Sequence, residues 1–440
     1  MTRLAETAAA AWAPRLLDDG ADPIAFAESL QAEVGDRLTG ALANSRDVGD
    51  GSSILTCLGG LDPLYLVPAL EALATAAKTP TNVTTAAAIA LRALRALCAQ
   101  PDPSRLDPPD VGLPAEHPLD YDWRFHPHTR QSLCDELRTL GPPSVLLLGC
   151  PTLAVDLPGR LDGHVTLVDD NPALPRIGPT HGARTVQQIC ADLVAQPSIT
   201  EGLEADCVIA DPPFYPHTMA AFIYAAATGS KVDAMLYLIL PSRWTRPSAT
   251  GDTAQALVQA EQAGYQLREL RAGAARYVRP IFERAAHATA GWPGVPDGWR
   301  TADIAVLQLR SRPLGPPPAG ESDRHLWCEV MLAGLRWRVR TDGDTATTRP
   351  PAAVTPRLLA IGSRLRTVSR RDKIRADANV ITNDHRAFTT DQPRLLLDAM
   401  QALAAGTPVE DAIQRRLNRP LTGSEQTALA DVLTQLAPNR

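Results

Sequence analysis

Cysteine pairs and long apolar runs are scarce in this sequence of 440 residues. The seven cysteines are an odd number without a Cys-x-x-Cys pair, which disfavours a disulfide framework or a zinc cluster. No uncharged apolar stretch approaches the roughly 18 residues that span a bilayer, and Glu6 lies ahead of a weak apolar run, unlike in a secretory signal. His126 and His128 lack a third ligand nearby in sequence, so no metal is expected. The sequence predicts a soluble, cytoplasmic protein without membrane contact.

An excess of positive charge is also lacking, so the molecule as a whole is not built to coat nucleic acid. Lys and Arg number 43 and Asp and Glu number 49, which gives a formal net charge of −6. The charge is uneven, because residues 1–100 carry a net charge of −4 and residues 321–440 a net charge of +4. The run Arg357–Arg375 holds seven basic residues and one acidic residue. It predicts a contact with a polyanion such as nucleic acid, unless it is an ordinary solvated segment.

Proline-rich breaks divide the chain into regions of different pattern. Residues 1–100 are rich in Ala and Leu at helical spacing, which predicts a helical accessory domain. Six prolines fall within residues 101–118, and so dense a run predicts a semi-rigid connector. Residues 119–312 predict an α/β domain. Residues 321–440 predict a basic C-terminal region that begins with a strand pair and continues with helices.

Two helices near the C-terminus carry start signals. Thr407 with Glu410, and Thr422 with Glu425, have the spacing of a capping box, in which a hydroxyl and a carboxylate satisfy the first free N–H groups of a helix. The segment Asn-Arg-Pro-Leu joins the two helices. This arrangement is compatible with a DNA-binding helix-turn-helix and with any other antiparallel helix pair.

Short apolar runs in the middle of the chain alternate with stretches long enough for a helix. They read SVLLLGC, HVTLVDD, ADCVIADPPF and DAMLYLILPS, and each ends in polar or turn residues. Strands that are apolar on both faces are typical of a parallel sheet covered by helices on both sides. The sequence therefore predicts a doubly wound, Rossmann-like α/β domain.

The most informative string is Asp211-Pro212-Pro213-Phe214, which directly follows one of these runs. Two prolines stiffen the backbone and leave few N–H groups, so carbonyl oxygens face the crevice at the carboxyl edge of the sheet. An amino group there can donate to the Asp211 carboxylate and the Pro212 carbonyl, while Phe214 stacks on a planar group that carries the amine. We predict that these four residues are catalytic.

The string resembles motif IV of the class I S-adenosylmethionine-dependent amino-methyltransferases, which reads Asp, Asn or Ser, then two prolines and an aromatic residue. It is most similar to the DPPF group, which includes N6-adenine methyltransferases and lysine methyltransferases of translation elongation factor. The resemblance covers about residues 119–312. It implies a class I methyltransferase fold, S-adenosylmethionine as cofactor, and methyl transfer to an amino nitrogen.

Three further strings lie in the order that this family requires. Gly149 ends the first apolar run, where it permits a close backbone approach to the cofactor. The usual Gly-x-Gly is reduced here to one glycine, so Pro151 must shape the loop, which agrees with the narrower DPPF group. Twenty residues after Gly149, Asp169 is placed to accept hydrogen bonds from the ribose hydroxyls. The resemblance implies that Asp192 accepts a hydrogen bond from the adenine amino group.

Aromatic and basic residues around the motif are candidates for binding the methyl acceptor. Such residues can stack on bases and contact phosphates, or they can belong to an exposed hairpin. The predicted substrate-binding residues are Tyr215, Arg243, Trp244, Tyr277 and Arg279. Ahead of the first helix, Trp123 and Phe125 are expected either to cover the cofactor or to anchor the connector to the sheet.

Together these patterns predict an S-adenosylmethionine-dependent N-methyltransferase, with adenine N6 in nucleic acid slightly favoured as acceptor. A protein lysine is an alternative acceptor. Aminopropyl transfer is another alternative, since branched-chain polyamine synthases look similar in having a helical front domain and an Asp-Pro-Pro-Tyr string. Their motif I is more acidic than the Gly-Cys-Pro-Thr found here. A catalytically inactive binding protein is the last alternative, which the intact Asp169 and Asp211 disfavour.

Overall fold

The computed structural model shows two compact units. It describes residues 23–43, 49–57, 60–61, 63–75, 79–101, 113, 115–120, 123–171, 174, 186–243, 248–289, 291–313, 315, 327–341, 359–362, 377–384 and 386–436. The first unit comprises residues 1–114, 123–280 and 287–321, and the second comprises residues 115–122, 281–286 and 322–440. The predicted helical domain falls in the first unit, as does most of the predicted α/β domain, except residues 119–122 and 281–286. The boundary between these two domains stays a prediction.

The described part of residues 1–100 is helical, as predicted. Its helices are α1 (Pro23–Ala43), α2 (Gly51–Cys57), α3 (Pro63–Thr75) and α4 (Thr81–Cys98). On α1 the fully buried residues Ala27, Leu30, Val34 and Leu38 follow one another at intervals of three or four residues, which places them on one face of the helix. Among the described residues, no helix is both long and apolar enough to cross a bilayer.

A seven-stranded sheet forms the centre of the first unit. In chain order its strands are β1 (Ser144–Leu148), β2 (His164–Asp169), β3 (Gln187–Cys190), β4 (Ala205–Ala210), β5 (Ser230–Pro241), β6 (Tyr265–Arg276) and β7 (Thr301–Leu309). Their spatial order is β3-β2-β1-β4-β5-β7-β6. The pairs from β3 to β5 are parallel, and β7 runs antiparallel to both of its neighbours. The prediction of a Rossmann-like α/β domain is confirmed.

Helices cover both faces of this sheet. They are α5 (Pro127–Leu140), α6 (Pro151–Asp156), α7 (Pro216–Thr228) and α8 (Ala249–Gln262). A further helix, α9 (Ile281–Thr289), begins in residues of the second unit and ends in residues of the first. Val145 and Leu147 of β1 pack in one apolar cluster with residues of α5 and α6. Leu146 and Leu148 pack in a second cluster with residues of α7 and α8. Successive residues of a strand point to opposite faces, so β1 is buried on both sides, as its apolar run predicts.

The second unit contains an antiparallel five-stranded sheet and three described helices. The strands are β8 (Trp327–Leu332), β9 (Leu335–Arg340), β10 (Leu359–Gly362), β11 (Val380–Thr382) and β12 (Ala387–Thr389), in the order β10-β12-β11-β9-β8. The helices are α10 (Pro393–Ala404), α11 (Val409–Leu417) and α12 (Gly423–Leu436). The predicted strand pair is β8 and β9. The other three strands were not predicted, because runs of three or four residues carry too little periodicity.

The two predicted capping boxes have different outcomes. At α12, the Thr422 backbone N–H donates to the Glu425 carboxylate at 2.8 Å, and the Glu425 N–H donates to the Thr422 hydroxyl at 3.4 Å. The prediction at Thr407 is wrong, because Pro408 is the N-cap of α11 and the Thr407 hydroxyl donates to the Ala402 carbonyl. In so short a connection, the Thr407 hydroxyl donates to a carbonyl of the preceding helix instead of accepting an N–H group of the following helix.

Candidate active site

Three of the predicted motifs lie at one edge of the central sheet. Gly149 follows β1, Asp169 ends β2, and Asp211 follows β4. These strands are parallel neighbours in the order β2-β1-β4, so their carboxyl ends lie side by side. The Gly149 N–H donates to the Val168 carbonyl at 3.0 Å, and the Asp211 N–H donates to the Leu148 carbonyl at 3.0 Å. The fold therefore brings together residues that are far apart in sequence.

Gly149 is required by the backbone at this point. Its φ is +67°, a left-handed conformation that favours glycine. A Cβ atom there would lie 3.1 Å from the Asp211 carbonyl oxygen and 3.2 Å from Cε1 of Phe222. The sequence predicted close approach to a cofactor at Gly149, and the structure adds close approach to the Asp211 backbone.

The loop after Gly149 is shaped by Cys150 and Pro151. Pro151 is the first residue of α6 and is buried, and its role at the cofactor stays a prediction. The buried Cys150 thiol donates to the Leu148 carbonyl at 3.3 Å. Burial raises the pKa of Cys150 well above its ordinary value, and the carboxylates of Asp211 and Asp169 raise it further. The thiol therefore stays protonated, and we assign it to packing.

The two acids predicted to hold the cofactor follow neighbouring strands. Asp169 lies opposite Cys190 in the β2–β3 ladder. Cys190 precedes Asp192 by two residues in the sequence. One carboxylate oxygen of Asp169 accepts the backbone N–H of Asn171 at 2.8 Å. One carboxylate oxygen of Asp192 accepts the backbone N–H of Val194 at 2.8 Å. Both side chains are half-buried and oriented by the turns that follow them, which suits groups that receive hydroxyl or amino donors from a ligand.

The Asp-Pro-Pro-Phe string connects β4 to α7. Asp211 and Phe214 are half-buried and Pro212 is buried. The Pro213 carbonyl accepts the Tyr215 N–H at 2.7 Å, and the Tyr215 carbonyl then accepts the first hydrogen bond of α7. The predicted substrate residue Tyr215 is thus the N-cap of a helix, and its ring stacks on His217 with centroids 6.1 Å apart.

Tyr277 lies beside Asp211, with its hydroxyl 2.6 Å from the Asp211 Oδ1 atom. Only 1% of the residue is exposed. Its ring stacks on Phe125 with centroids 5.4 Å apart and meets the edge of Trp123 at 5.7 Å. The prediction that Tyr277 stacks on an acceptor is therefore wrong, because protein side chains already enclose the ring. Of the two roles expected for Trp123 and Phe125, the packing matches anchoring to the sheet.

Arg279 also differs from its prediction as an exposed contact for the substrate. Its side chain has no exposed area, and its Nε atom lies 3.5 Å from the Asp297 carboxylate. The Arg279 backbone N–H donates to the same carboxylate at 2.8 Å. A buried arginine needs such a partner because desolvation of a lone charge is costly. The structure therefore gives Arg279 an internal ion pair.

The remaining predicted contacts are only partly described. Arg243 is exposed after β5, and its Nη1 atom lies 3.7 Å from the carboxylate of Glu33 on α1. Trp244 lies outside the described residues. The basic run Arg357–Arg375 also lies outside them except for the backbone of β10, Leu359–Gly362.

The N-terminal helices reach the same sheet edge, which sequence reasoning did not anticipate. The Gly60 N–H donates to the Trp299 carbonyl at 3.2 Å. A Cβ atom on Gly60 would lie 2.5 Å from the hydroxyl of Thr301 and 2.8 Å from that of Ser242. Ser242 follows β5 and Thr301 begins the antiparallel β7, so both mark the edge at which Asp211 lies. No local sequence signal connects Gly60 to these residues.

Arg300 is a second residue that sequence reasoning missed. Its guanidinium lies 4.3 Å from the ring centroid of Trp123 and 5.1 Å from that of Trp299, which is within the range of cation–π attraction. The Arg300 carbonyl accepts the Tyr277 N–H at 3.2 Å. Arg300 therefore stabilises the aromatic group that surrounds Tyr277.

No protein-family model matches this sequence, and no curated protein matches it. Solved structures share parts of the fold. A branched-chain polyamine synthase C9 mutein from Thermus thermophilus, in complex with N4-aminopropylspermidine and 5′-methylthioadenosine, is 17% identical, with a TM-score of 0.47 over 68% of this chain and 94% of that chain. The N-methyltransferase NodS from Bradyrhizobium japonicum, in complex with S-adenosyl-L-homocysteine, is 13% identical, with a TM-score of 0.30 over 50% of this chain and 98% of that chain. At these identities and TM-scores, neither likeness identifies an activity.

Proposed function

We propose that this protein is an S-adenosylmethionine-dependent methyltransferase that acts on an amino nitrogen. The observation that carries the proposal is the meeting of Gly149, Asp169 and Asp211 at adjoining strand ends. On the β2 side of this edge, the Asp169 carboxylate is an acceptor for a nucleoside. On the β4 side, the Asp211 carboxylate is an acceptor for an amine. Ligands of open α/β sheets bind at such a carboxyl edge.

The residues at the edge fit the chemistry of the cofactor. Gly149 keeps the β1 end clear of side-chain atoms, and the carboxylates of Asp169 and Asp192 are hydrogen-bond acceptors for ribose hydroxyls and an adenine amino group. When bound, S-adenosylmethionine would supply a methyl group on a sulfonium. The acceptor nitrogen would attack the methyl carbon in line as the carbon–sulfur bond breaks, and S-adenosylhomocysteine would be the leaving group. Cys150 is the N-cap of α6 and Pro151 its first residue, so the loop that follows Gly149 leads directly into this helix.

The Asp211 carboxylate and the Pro212 carbonyl would orient the acceptor. An amino group that donates to both oxygens keeps its lone pair directed away from them, toward the methyl group. Positioning of this kind supplies most of the acceleration in a transfer between two bound groups. As the new bond forms, the nitrogen becomes positively charged and its proton passes to the Asp211 carboxylate or to solvent, so no separate general base is obligatory for an aromatic amine.

Adenine N6 stays our first choice of acceptor. Phe214 is half-buried directly after the two prolines, where a planar base would stack on it. A lysine offers no ring to this site. The burial of Arg279 and the position of Arg243 near Glu33 leave the Arg357–Arg375 run as the main proposed contact with phosphates.

Methyl-labelled S-adenosylmethionine tests the proposal. The enzyme is incubated with the labelled cofactor and a cell lysate, and parallel samples are then treated with nuclease or protease. Nuclease-sensitive label is expected, and Asp211→Ala should lower its rate of formation about a hundredfold or more. Protease-sensitive label would transfer the proposal to a protein lysine. A parallel reaction with decarboxylated S-adenosylmethionine, labelled in the aminopropyl group, detects the aminopropyl alternative. Absence of labelling in every arm, together with no binding of S-adenosylhomocysteine, would overturn the proposed function.

A further inference from the structure

We propose that Tyr277 is a positioning residue that holds the Asp211 carboxylate in the orientation needed to receive the acceptor amine. The inference rests on the proposed function and adds to it a residue that the Asp-Pro-Pro-Phe string does not contain. Tyr277 does not reach the acceptor itself, since its ring is enclosed by protein, and it acts through the hydrogen bond to Asp211 Oδ1.

The position of the Tyr277 hydroxyl is fixed by contacts on several sides. The residue follows β6 and forms a β-bridge with Phe125. Its backbone N–H donates to the Arg300 carbonyl at 3.2 Å, and its carbonyl accepts the Gly298 N–H at 2.9 Å. The ring is confined between Phe125 and Trp123. Because Tyr277 is held at its backbone and at its ring, its hydroxyl cannot move with a rotation of the Asp211 carboxylate. The hydroxyl therefore fixes the orientation of that carboxylate.

The direction of this hydrogen bond is set by protonation. Burial raises the pKa of Tyr277 well above its ordinary value, and the adjacent Asp211 carboxylate raises it further. The hydroxyl therefore keeps its proton and donates a hydrogen bond to Asp211. Donation to a carboxylate stabilises its charged form, so Tyr277 favours the state of Asp211 that can accept from an amine.

A neutral donor also suits the charge of the reaction. An arginine or lysine next to Asp211 would hold the carboxylate as firmly, but its positive charge would repel a sulfonium bound at the same edge. Tyr277 orients Asp211 without adding such a charge. The guanidinium of Arg300, a cation near this group, lies 4.3 Å from the ring centroid of Trp123.

Tyr277→Phe removes one oxygen atom and keeps the enclosed ring. Its matched control is Tyr237→Phe, because Tyr237 is also a buried tyrosine of this sheet whose hydroxyl donates to a carboxylate, that of Glu136 at 2.8 Å. Two probes report on the site without a known acceptor. S-adenosylhomocysteine has no donor in place of the methyl group, whereas sinefungin carries an amine there, which would donate to the Asp211 region.

Calorimetry should show that wild type and Tyr237→Phe prefer sinefungin to S-adenosylhomocysteine by the same factor. In Tyr277→Phe this preference should fall about tenfold while the affinity for S-adenosylhomocysteine is unchanged, as expected for loss of one hydrogen bond that orients a charged group. Once an acceptor is known, kcat should fall with little change in the cofactor KM. In an Asp211→Ala background, Tyr277→Phe should have no further effect, since coupled residues are not additive.

Three outcomes are distinguishable. Wild type that binds neither probe contradicts the proposed function itself. Wild type that binds both, with an unchanged preference in Tyr277→Phe, contradicts only the role of Tyr277. If Tyr277→Phe does not fold, Asp211→Asn gives the decision, because it keeps the shape of the side chain and removes the charge that the hydroxyl stabilises. A wild-type sinefungin preference in Asp211→Asn would overturn the inference.

Discussion

Gly149 joins β1 to α6 with a positive φ, beside the backbone of Asp211. Two separate costs are therefore expected for a side chain at this position. One is the strain of a left-handed conformation, and the other is crowding against Asp211 and Phe222. The second cost falls on the candidate active site, because the Asp211 backbone cannot move without moving its carboxylate.

Gly149→Ala should lower the free energy of unfolding by about 1–3 kcal/mol through strain and crowding together. It should also weaken binding of S-adenosylhomocysteine about tenfold, because the cofactor loop and the Asp211 backbone must separate. Urea unfolding and calorimetry measure the two effects. Gly202→Ala is the matched control, since Gly202 has a φ of +81° and no atom within 4 Å of the added Cβ. Equal effects of the two substitutions on binding would show that crowding at Gly149 is irrelevant.

Asp169 and Asp211 should divide binding and chemistry between them. Asp169→Ala should weaken S-adenosylhomocysteine by about 1–3 kcal/mol, because hydrogen bonds from the ribose to a charged group are lost. Asp211→Ala should leave that affinity nearly unchanged and lower turnover about a hundredfold or more. Asp170→Ala is a control with the same loss of charge one residue further along the chain. An equal loss of binding in Asp170→Ala would move the ribose site to the neighbouring residue.

The residues of the candidate site differ in how far sequence reveals them. Asp169 and Asp211 were predictable because each directly follows an apolar strand, and parallel strands end at one edge. The role of Tyr277 was not, because it depends on a contact across 66 residues of chain. Arg279 was misassigned because an arginine beside aromatic residues suggests an exposed side chain. Its partner Asp297 lies eighteen residues further along the chain, outside the local pattern around Arg279.

At the scale of elements, Glu136 connects α5 to the central sheet. Its carboxylate accepts the Tyr237 hydroxyl of β5 at 2.8 Å and a guanidinium N–H of Arg271 of β6 at 2.7 Å. Burial alone would raise the pKa of Glu136, but hydrogen bonds from Arg271 and Tyr237 outweigh it and hold the pKa below its usual value. The link is therefore a source of stability that depends on pH.

The depressed pKa of Glu136 fixes the sign of that dependence. Its contribution is fully present above the pKa of an unfolded glutamate, about 4.3, and is lost as pH falls through the lower folded value. Glu136→Gln should cost about 1–2 kcal/mol near pH 7, since the group is partly exposed and screened. Urea unfolding should show a constant difference from wild type above about pH 5, as follows from that unfolded value, and a shrinking difference in more acidic buffer.

Glu269→Gln is the control for this pH profile. Glu269 also contacts Arg271, at 2.8 Å, but its side chain is 54% exposed, so its removal should change stability little. A difference between wild type and Glu136→Gln that stays constant down to pH 3, or grows, would contradict the link.

Elements were predictable where the pattern of burial is simple. Strands β1, β2, β4 and β5 have apolar runs because both of their faces are covered. The edge strand β6 carries the exposed residues Leu267 and Leu270 among charged ones, so its sequence does not read as a buried strand. The pairing of β6 with β7 is also interrupted by bulges, which breaks the alternation that would otherwise reveal it.

At the scale of the whole molecule, the second unit takes in the end of the predicted connector. The buried Asp120 carboxylate pairs with Arg336 and Arg338, and Glu329 pairs with the same two arginines. The His117 imidazole contacts the Ile381 carbonyl at 3.2 Å. Burial lowers the pKa of His117, and Arg338 lowers it further, so the ring is neutral. The prolines of the connector were visible in the sequence, whereas the partners of Asp120 lie more than two hundred residues away.

The distribution of charge over the whole chain separates a nucleic-acid acceptor from a protein acceptor. The molecule carries a net charge of −6, and residues 1–100 carry −4, so most of it repels a polyanion. If single-stranded nucleic acid is the acceptor, neutralising about five phosphates gives a log–log salt slope of about −3.5. Replacing Arg370 and Arg371 by Ala should reduce the magnitude of that slope by about 1.4, because two fewer counterions are released. Replacing Arg92 and Arg95 of α4 makes the same change in net charge within the acidic N-terminal region and should leave the slope unchanged.

Fluorescence anisotropy with a labelled adenine-containing strand at increasing salt measures the slope for wild type and for both double variants. A flat salt response in wild type would favour a protein lysine as the acceptor, because binding to nucleic acid depends on salt through the release of counterions from the phosphates.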